Sequence, residues 1–387
     1  MDSQRFERRQ KEEKPVLAIC YDFDKTLSPD DMQAQGYIQN VGYENVDDFW
    51  KKSNALAADN EMDQNLAYMY LMMEEAEGNL LFKKEKLKEY GSKVKLFPGV
   101  EEWFQRIKKY GAEKGIIVEH YIISSGLKEM IEGTSIAGEF EKIYASSFYY
   151  NDRGVAKWPA QAVNYTNKTQ FLFRIEKGVL DVNDNGVNDF FEPDKIRIPF
   201  RNMVYIGDSD TDVPCMKLVT SLGGHAIGVY DSETKEKTKV YKMMRERRIR
   251  YFVPADYREG TEMDTLVKAI IDRTASNEVL EAAYYGYREE TIKADRENDA
   301  EEIAKTDLMI DLDNSSCFAN THEVIKKLSI YTKWTSEQKE RLCEIALSNS
   351  QVFLILQDED IRKFYKKILQ RFDSKATSVE SVREVIR

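Results

Sequence analysis

The sequence has few of the residues that stabilise secreted or zinc-binding proteins. Its 387 residues include only three histidines and four scattered cysteines, none of them in a CxxC pair. This spacing favours reduced thiols over disulfide bonds or a zinc site. We therefore expect a protein of a reducing compartment, the cytoplasm, whose stability comes from a hydrophobic core.

Long apolar runs are also missing. None approaches the roughly 18 residues that a membrane-spanning helix needs. The charged start MDSQRFERRQKEEK lacks the apolar segment of a signal peptide. The net charge is -11, which repels nucleic acids and anionic membrane surfaces. We therefore expect a cytoplasmic protein with no nucleic-acid or membrane partner.

Short apolar runs that end in carboxylates are what the sequence does contain. PVLAICYDFD (15–24) and RNMVYIGDSDTD (201–212) are of this kind, which is typical of buried parallel strands. Helical patterns alternate with such strands up to RYFVPADY (250–257). The alternation predicts an α/β fold with a doubly wound, Rossmann-like parallel sheet.

Changes in pattern along the chain predict the domain organisation. Residues 1–14 are a charged tail, and the α/β core takes residues 15–28 and 97–275. The segment 29–96 is helical throughout and is predicted to be an inserted cap. From 276 to 387 the composition is charged and helical, which predicts a C-terminal helical appendage.

Polar clusters follow three of the predicted strands. They contain Asp22, Asp24 and Thr26; Ser124; and Asp208 and Asp212. Because ligands bind beyond the carboxyl ends of parallel strands, these clusters are expected to converge. Hard oxygen ligands favour Mg²⁺, and a neighbouring carboxylate can attack phosphorus while a second one moves the proton. The sequence therefore predicts phosphoryl chemistry at a Mg²⁺ site.

Three motifs, in order, resemble those of the haloacid dehalogenase-like superfamily of phosphohydrolases. DFDKTLS (22–28) resembles its DxDxT motif, YIISSG (121–126) its strand ending in Ser, and YIGDSDTDVP (205–214) its GDxxxD motif. The segment 29–96 is similar to the small helical cap of phosphoserine-phosphatase-like members. The resemblance covers about residues 15–275.

The resemblance implies a role for each matching residue. Asp22 would be the nucleophile and a metal ligand, and Asp24 the general acid and base, with its main-chain carbonyl on Mg²⁺. Thr26 and Ser124 would bind the phosphoryl group. Asp208 and Asp212 would complete the metal site, Asp212 as a direct or indirect anchor.

The phosphate-site lysine has little sequence context. Lys168 stands at the start of a predicted helix, whose positive end favours phosphate, and is the first candidate. Lys157 and Lys177 are the alternatives.

A second motif, DVNDNGVNDFFE (181–192), fits the calcium loop of an EF-hand at five positions. Its candidate side-chain ligands are Asp181, Asn183, Asn185 and Glu192. Pro193 opposes the exiting helix of such a motif. The two readings are a structural Ca²⁺ site and a polar loop rich in turns.

Together these features predict a Mg²⁺-dependent phosphatase that hydrolyses a small-molecule phosphate ester through an aspartyl-phosphate on Asp22. One alternative is a phosphotransferase with the same intermediate. The other is a regulatory or scaffolding protein whose helices at 276–387 bind a partner protein or self-associate.

Overall fold

One sheet organises the first two thirds of the chain. The computed structural model describes residues 6–78, 81–295 and 300–387. Seven strands of these residues form the sheet, in the spatial order 4-3-2-1-5-6-7. They are β1 (Val16–Tyr21), β2 (Ile117–Leu127), β3 (Lys142–Tyr150), β4 (Ala156–Gln161), β5 (Met203–Gly207), β6 (His225–Tyr230) and β7 (Tyr251–Pro254). The β3–β4 pair is antiparallel and the other neighbours are parallel.

Strand β1 lies in the middle of the sheet, and all six of its residues are apolar or aromatic and buried. Side chains alternate along a strand, so β1 contributes to a core on each face of the sheet. Leu17, Ile19 and Tyr21 pack on one face, and Val16, Ala18 and Cys20 on the other. A strand buried on both faces is typical of a parallel sheet with helices on each side.

Helices cover both faces and fill the insertion after β1. The insertion contains α1 (Tyr37–Asn40), α2 (Val46–Asp59), α3 (Gln64–Ala76) and α4 (Lys84–Gly91). The sheet is flanked by α5 (Val100–Glu113), α6 (Lys128–Ile131), α7 (Thr169–Lys177), α8 (Val213–Ser221) and α9 (Thr238–Arg245). The predicted doubly wound α/β fold with its helical cap and C-terminal helices is confirmed.

The C-terminal part of the chain is helical. Its helices are α10 (Glu262–Asp295), α11 (Ala300–Asp313), α12 (Phe318–Leu328), α13 (Ser336–Ser348), α14 (Ser350–Leu354), α15 (Glu359–Leu369) and α16 (Thr377–Val385). Thr335 caps α13, because its side chain accepts from the Gln338 backbone while Gln338 bonds back. No helix in the described part of the chain is both long and apolar enough to cross a membrane.

Contacts divide the chain into two compact units. The first contains residues 1–187 and 195–280, and the second contains 188–194 and 281–387. The second unit has a core of its own, which includes Leu312, Leu342 and Tyr365. The sequence places the boundary at 276, where composition changes, but α10 continues through that position as one helix.

Candidate active site

The loop after β1 turns sharply and keeps both aspartates at the edge of the sheet. The Asp22 amide still donates to the Ile206 carbonyl of β5 at 2.9 Å, which extends the ladder by one residue. The amides of Thr26 and Leu27 then both donate to the Phe23 carbonyl, at 3.2 and 2.9 Å. Lys25 takes a left-handed conformation (φ 57°) to allow this turn.

Three carboxylates meet at this edge. One oxygen each of Asp22, Asp208 and Asp212 lie within 4.8 Å of one another. The ammonium group of Lys168 lies 2.8 Å from Asp212 Oδ1 and 3.2 Å from Asp22 Oδ1. The Lys168 side chain is completely buried although it carries a charge, and buried ammonium groups are almost always paired.

The charges of the cluster do not balance, and the pKa values reflect this. Burial, followed by the Asp212 carboxylate, raises the pKa of Asp22 to about 6, although Lys168 lowers it. Burial and the carboxylates of Asp212 and Asp22 raise the pKa of Asp208 to about 7. Burial lowers the pKa of Lys168, but Asp212 and Asp22 more than offset it, so the net shift is upward. The cluster therefore has an excess of negative charge that one lysine does not neutralise.

Asp212 is held by protein donors on both oxygens. Its Oδ1 accepts from Lys168 at 2.8 Å and from the Tyr205 hydroxyl at 2.9 Å. Its Oδ2 accepts from the Ser209 amide and hydroxyl, at 3.4 and 3.3 Å. Gly207 makes room for this carboxylate, because a Cβ there would lie 2.5 Å from Oδ2. Sequence reasoning missed Tyr205, whose position inside an apolar strand indicates only packing.

Asp24 lies on the cap side of the same loop. Its Oδ1 accepts from the Met32 amide at 2.9 Å. Burial raises its pKa well above the usual carboxyl range, and the carboxylates of Asp31 and Asp22 raise it further. Gly126 of β2 passes close by, since a Cβ there would lie 3.0 Å from Asp24 Oδ2.

Thr26 and Ser124, whose hydroxyl groups are predicted to bind the phosphoryl group, are both buried. Thr26 is fully buried, and its Oγ1 finds no hydrogen-bond partner in the described structure. Ser124 is 1% exposed, and its Oγ accepts from the Gly126 amide at 3.1 Å. Strand β2 continues through the Ser-Ser-Gly segment with an irregular register, where the sequence favours a turn.

The structure also separates the three candidate lysines. Lys157 is exposed on β4, and Lys177 donates to the Val187 carbonyl at 2.8 Å. Lys168, at the start of α7, is therefore the candidate that lies within the carboxylate cluster.

The predicted calcium loop gains no support. Asp181 Oδ1 accepts from the Asn183 amide, and the Arg174 guanidinium donates to the main-chain carbonyls of Asp181, Val182 and Asp184. Of the main-chain oxygens, such a loop would use the carbonyl of its seventh residue, Val187, and this oxygen already accepts from Lys177 at 2.8 Å. Asp181, Asn183 and Asn185 fall in the first unit, whereas Glu192 falls in the second. Of the described residues, only Asp22, Asp208 and Asp212 form a group of three that could hold a metal.

These donors fit a hard divalent cation. They are buried carboxylate oxygens that lie close to one another, and Lys168 is the buried counter-charge that contacts two of them. Next to Asp24, a cavity of about 240 Å³ opens between cap and core. Cap residues Trp50, Asn65 and Tyr68 line it together with Ser125 and Gly126 of β2.

The fold and the site are those of an α/β enzyme with an acidic, lysine-containing centre at the carboxyl edge of its sheet. A family model described as haloacid dehalogenase-like hydrolase matches residues 19–217, just over half of the chain. The chain therefore belongs to the haloacid dehalogenase-like hydrolases. The resemblance drawn from the three motifs, and the prediction of a hydrolase, are confirmed.

Individual relatives are more distant. An uncharacterised protein of Borreliella burgdorferi is 26% identical over 285 residues, which cover 65% of this chain and 95% of that protein. A HAD family hydrolase from Salmonella enterica serovar Typhi is 17% identical, with a TM-score of 0.44, over 67% of this chain and 73% of that one. A phosphoserine phosphatase carrying a phospho-aspartyl intermediate analogue is 15% identical, with a TM-score of 0.39, over 66% and 99%.

Proposed function

We propose that this chain is a Mg²⁺-dependent phosphatase that hydrolyses a small phosphorylated metabolite. The observation that supports it best is the buried cluster in which Lys168 contacts Asp22 and Asp212 while Asp208 lies close by. The cluster joins a candidate nucleophile, a fixed positive charge and oxygen ligands in a family of hydrolases.

In the first step, a carboxylate oxygen of Asp22 attacks phosphorus. A bond forms between that oxygen and phosphorus as the bond to the ester oxygen breaks, which leaves a phosphoryl group on Asp22. Asp24 gives its proton to the departing oxygen, a role that its raised pKa suits. In the second step, the Asp24 carboxylate takes a proton from water, whose oxygen attacks phosphorus and releases inorganic phosphate and free Asp22.

Three further residues would hold the phosphoryl oxygens. Lys168 stays protonated because its pKa is raised by two carboxylates, so it supplies a fixed positive charge. The Thr26 hydroxyl is buried without a partner and can donate to a phosphoryl oxygen. Ser124 lies on β2, beside β1, and can donate from the other side.

Asp22, Asp208 and the main-chain carbonyl of Asp24 would hold Mg²⁺. Bound there, the ion neutralises the carboxylates and polarises the phosphoryl group. Both oxygens of Asp212 already accept hydrogen bonds from the protein. We therefore assign Asp212 the indirect role in the metal site, in which it positions Lys168 and does not bind the ion itself.

Hydrolysis of p-nitrophenyl phosphate by purified protein tests the proposal. The wild type should be active in Mg²⁺ and inactive in EDTA, and Asp22→Asn should be inactive in both. Asp210→Asn is the matched control, because it makes the same substitution two residues after Asp208, at a position that is exposed and pairs with Lys242. Activity that survives Asp22→Asn would contradict the mechanism. Product analysis with added alcohols separates hydrolysis from phosphotransfer. Partner binding or self-association through 276–387 stays a prediction.

A further inference from the structure

The cavity beside Asp24 is where the leaving group would lie. Because Asp24 would protonate the leaving oxygen, the rest of the alcohol must occupy the space next to this residue. That space measures about 240 Å³, enough for a small molecule only. The side chains that line the cavity therefore indicate which kind of alcohol the substrate releases. The side chains that line the cavity around the leaving group are those of Asp31, Gln33, Trp50, Asn65 and Tyr68.

Two polar groups in the cavity wall have no protein partner. Gln33 is 2% exposed, and its carboxamide makes no hydrogen bond with the described residues. The indole Nε1 of Trp50 is also buried without a partner. Buried polar groups are normally hydrogen-bonded, so the Trp50 N–H points to a bound molecule that completes it, and the Gln33 carboxamide is available to the same molecule.

The wall offers donors and acceptors together. The indole N–H of Trp50 can only donate, so its partner must be an acceptor. The Asn65 amide nitrogen donates to the Val163 carbonyl, which leaves the side-chain oxygen as an acceptor. Asp31 is a second acceptor, and the Gln33 carboxamide serves as either. A hydroxyl group both donates and accepts, so hydroxyl groups can pair with each of these four side chains.

Charged leaving groups fit the cavity less well. Of the described residues that line it, none is a lysine, arginine or histidine, so a carboxylate or second phosphate would be buried without a counter-charge. An ammonium group could approach Asp31, but it has no lone pair for the Trp50 N–H. Moreover, Asp31 already pairs with Lys25 at 3.1 Å.

The aromatic residues suit a carbon skeleton with hydroxyl groups. The rings of Trp50 and Tyr68 lie with their centroids 5.9 Å apart in an edge-to-face arrangement. Tyr68 uses its hydroxyl on the Ser125 carbonyl at 2.7 Å, which leaves the ring as its contribution to the wall. Such faces pack against C–H groups while the polar wall binds the hydroxyls.

We propose that the substrate is the phosphate monoester of a small neutral polyol, an alcohol with further hydroxyl groups and no second charged group. This inference rests on the proposed phosphatase function and specifies the substrate class of the same site.

Steady-state kinetics of the full-length protein in Mg²⁺ test it. The neutral set is glycerol phosphate and hexose monophosphates. The charged set is phosphoserine, phosphoethanolamine, phosphoglycerate and a hexose bisphosphate, and p-nitrophenyl phosphate is the reference. The neutral set should have kcat/KM values at least about tenfold above the charged set, the discrimination expected when a polar site loses one or two matched groups.

The possible failures are distinguishable. If p-nitrophenyl phosphate is hydrolysed but the charged esters equal or exceed the neutral ones, the substrate class is wrong and the phosphatase function stands. If no ester is hydrolysed, including the reference, both the function and the substrate class are wrong.

Two variants test the wall itself. Trp50→Phe keeps an aromatic ring and removes the N–H, and Gln33→Leu removes the carboxamide at similar size. Each should raise KM for the neutral esters about 3- to 10-fold, the usual effect of one hydrogen bond, and more than for p-nitrophenyl phosphate. Trp158→Phe is the matched control, because Trp158 is 73% exposed on β4. Equal changes for both substrates would indicate a structural role only and overturn the inference.

Discussion

Replacing Lys168 by methionine would remove the buried cation that contacts two of the three clustered carboxylates. The side chain is fully buried, and its ammonium group lies 2.8 and 3.2 Å from oxygens of Asp212 and Asp22. Methionine fills a similar volume, so the change is mainly one of charge. Removing one partner of a buried ion pair typically costs about 3–5 kcal/mol, because the remaining charge is left unpaired.

We therefore expect Lys168→Met to lower the free energy of unfolding by about 3–5 kcal/mol in EDTA. The loss should shrink in excess Mg²⁺, because the variant's cluster has one positive charge fewer, binds the cation more tightly than the wild type and is therefore stabilised more by mass action. Lys157→Met is the control, since Lys157 is exposed on β4 and its loss should cost about 0.5 kcal/mol or less.

The measurement is amide hydrogen exchange of β1 and β5, followed by mass spectrometry in both buffers. It reports opening of the sheet itself, whereas a global probe would also record the helical unit, which has its own core. Equal protection of the variant and the Lys157 control in EDTA would refute the assigned ion pairs. An unchanged loss in excess Mg²⁺ would refute the idea that a bound cation compensates for the missing lysine.

Three other predictions concern the fold and its pH dependence. Gly207→Ala should lower stability by about 1–3 kcal/mol and slow hydrolysis of p-nitrophenyl phosphate, because the new Cβ would displace the Asp212 carboxylate that positions Lys168. Arg197→Met should cost about 1–3 kcal/mol in urea unfolding, since Glu119 would lose contacts of 2.6 and 2.9 Å from a buried guanidinium but would keep Arg9 at 2.8 Å. His322 bonds two aspartates, which raises its pKa above 6.5, so its contribution to stability is complete below pH 6.5 and is lost as pH rises through the raised pKa.

Each of these has a matched control. Gly138→Ala adds a Cβ that meets nothing within 4 Å, and a Gly207→Ala protein of equal stability would contradict the close approach. Arg153→Met removes an exposed arginine and is the control for Arg197→Met. An equal loss of unfolding free energy in the two variants would mean that the burial of Arg197 does not determine the loss. A proton NMR titration should show one histidine with a raised pKa, and that resonance should vanish in His322→Gln. The other two histidines are buried and have lowered pKa values.

The sequence predicts the parts of the site that lie at strand ends. A short run of apolar residues that stops at Asp22 favours a buried strand that ends at a carboxylate, and the same holds for the strand before Asp208. Parallel pairing then brings both residues to one edge. Backbone periodicity fixes these positions, so local sequence is sufficient to find them.

Residues that act from a distance could not be predicted in the same way. Tyr205 looks like any aromatic strand residue until its hydroxyl is seen to reach Asp212. Likewise, the spacing of residues 181–192 fits a calcium loop, but Lys177 already donates to the Val187 carbonyl, which such a loop would use as its main-chain ligand. Which cap residues face Asp24 depends on how the helices pack. Periodicity alone shows only that the helix containing Trp50 is amphipathic.

The contacts of Asp212 and Asp208 explain why the cluster contains three carboxylates. Asp212 uses both oxygens on Lys168, Tyr205 and Ser209, so it fixes the lysine toward Asp22 and has little capacity left for another ligand. Asp208 makes, among the described residues, an ion pair with the exposed Lys239 at a distance of 3.7 Å. Under the proposed mechanism, Asp212 would position the cation that the protein supplies, and Asp208 would keep its oxygens for a cation from solution. Both cations would help to keep Asp22 ionised in a buried site, as an attack on phosphorus requires.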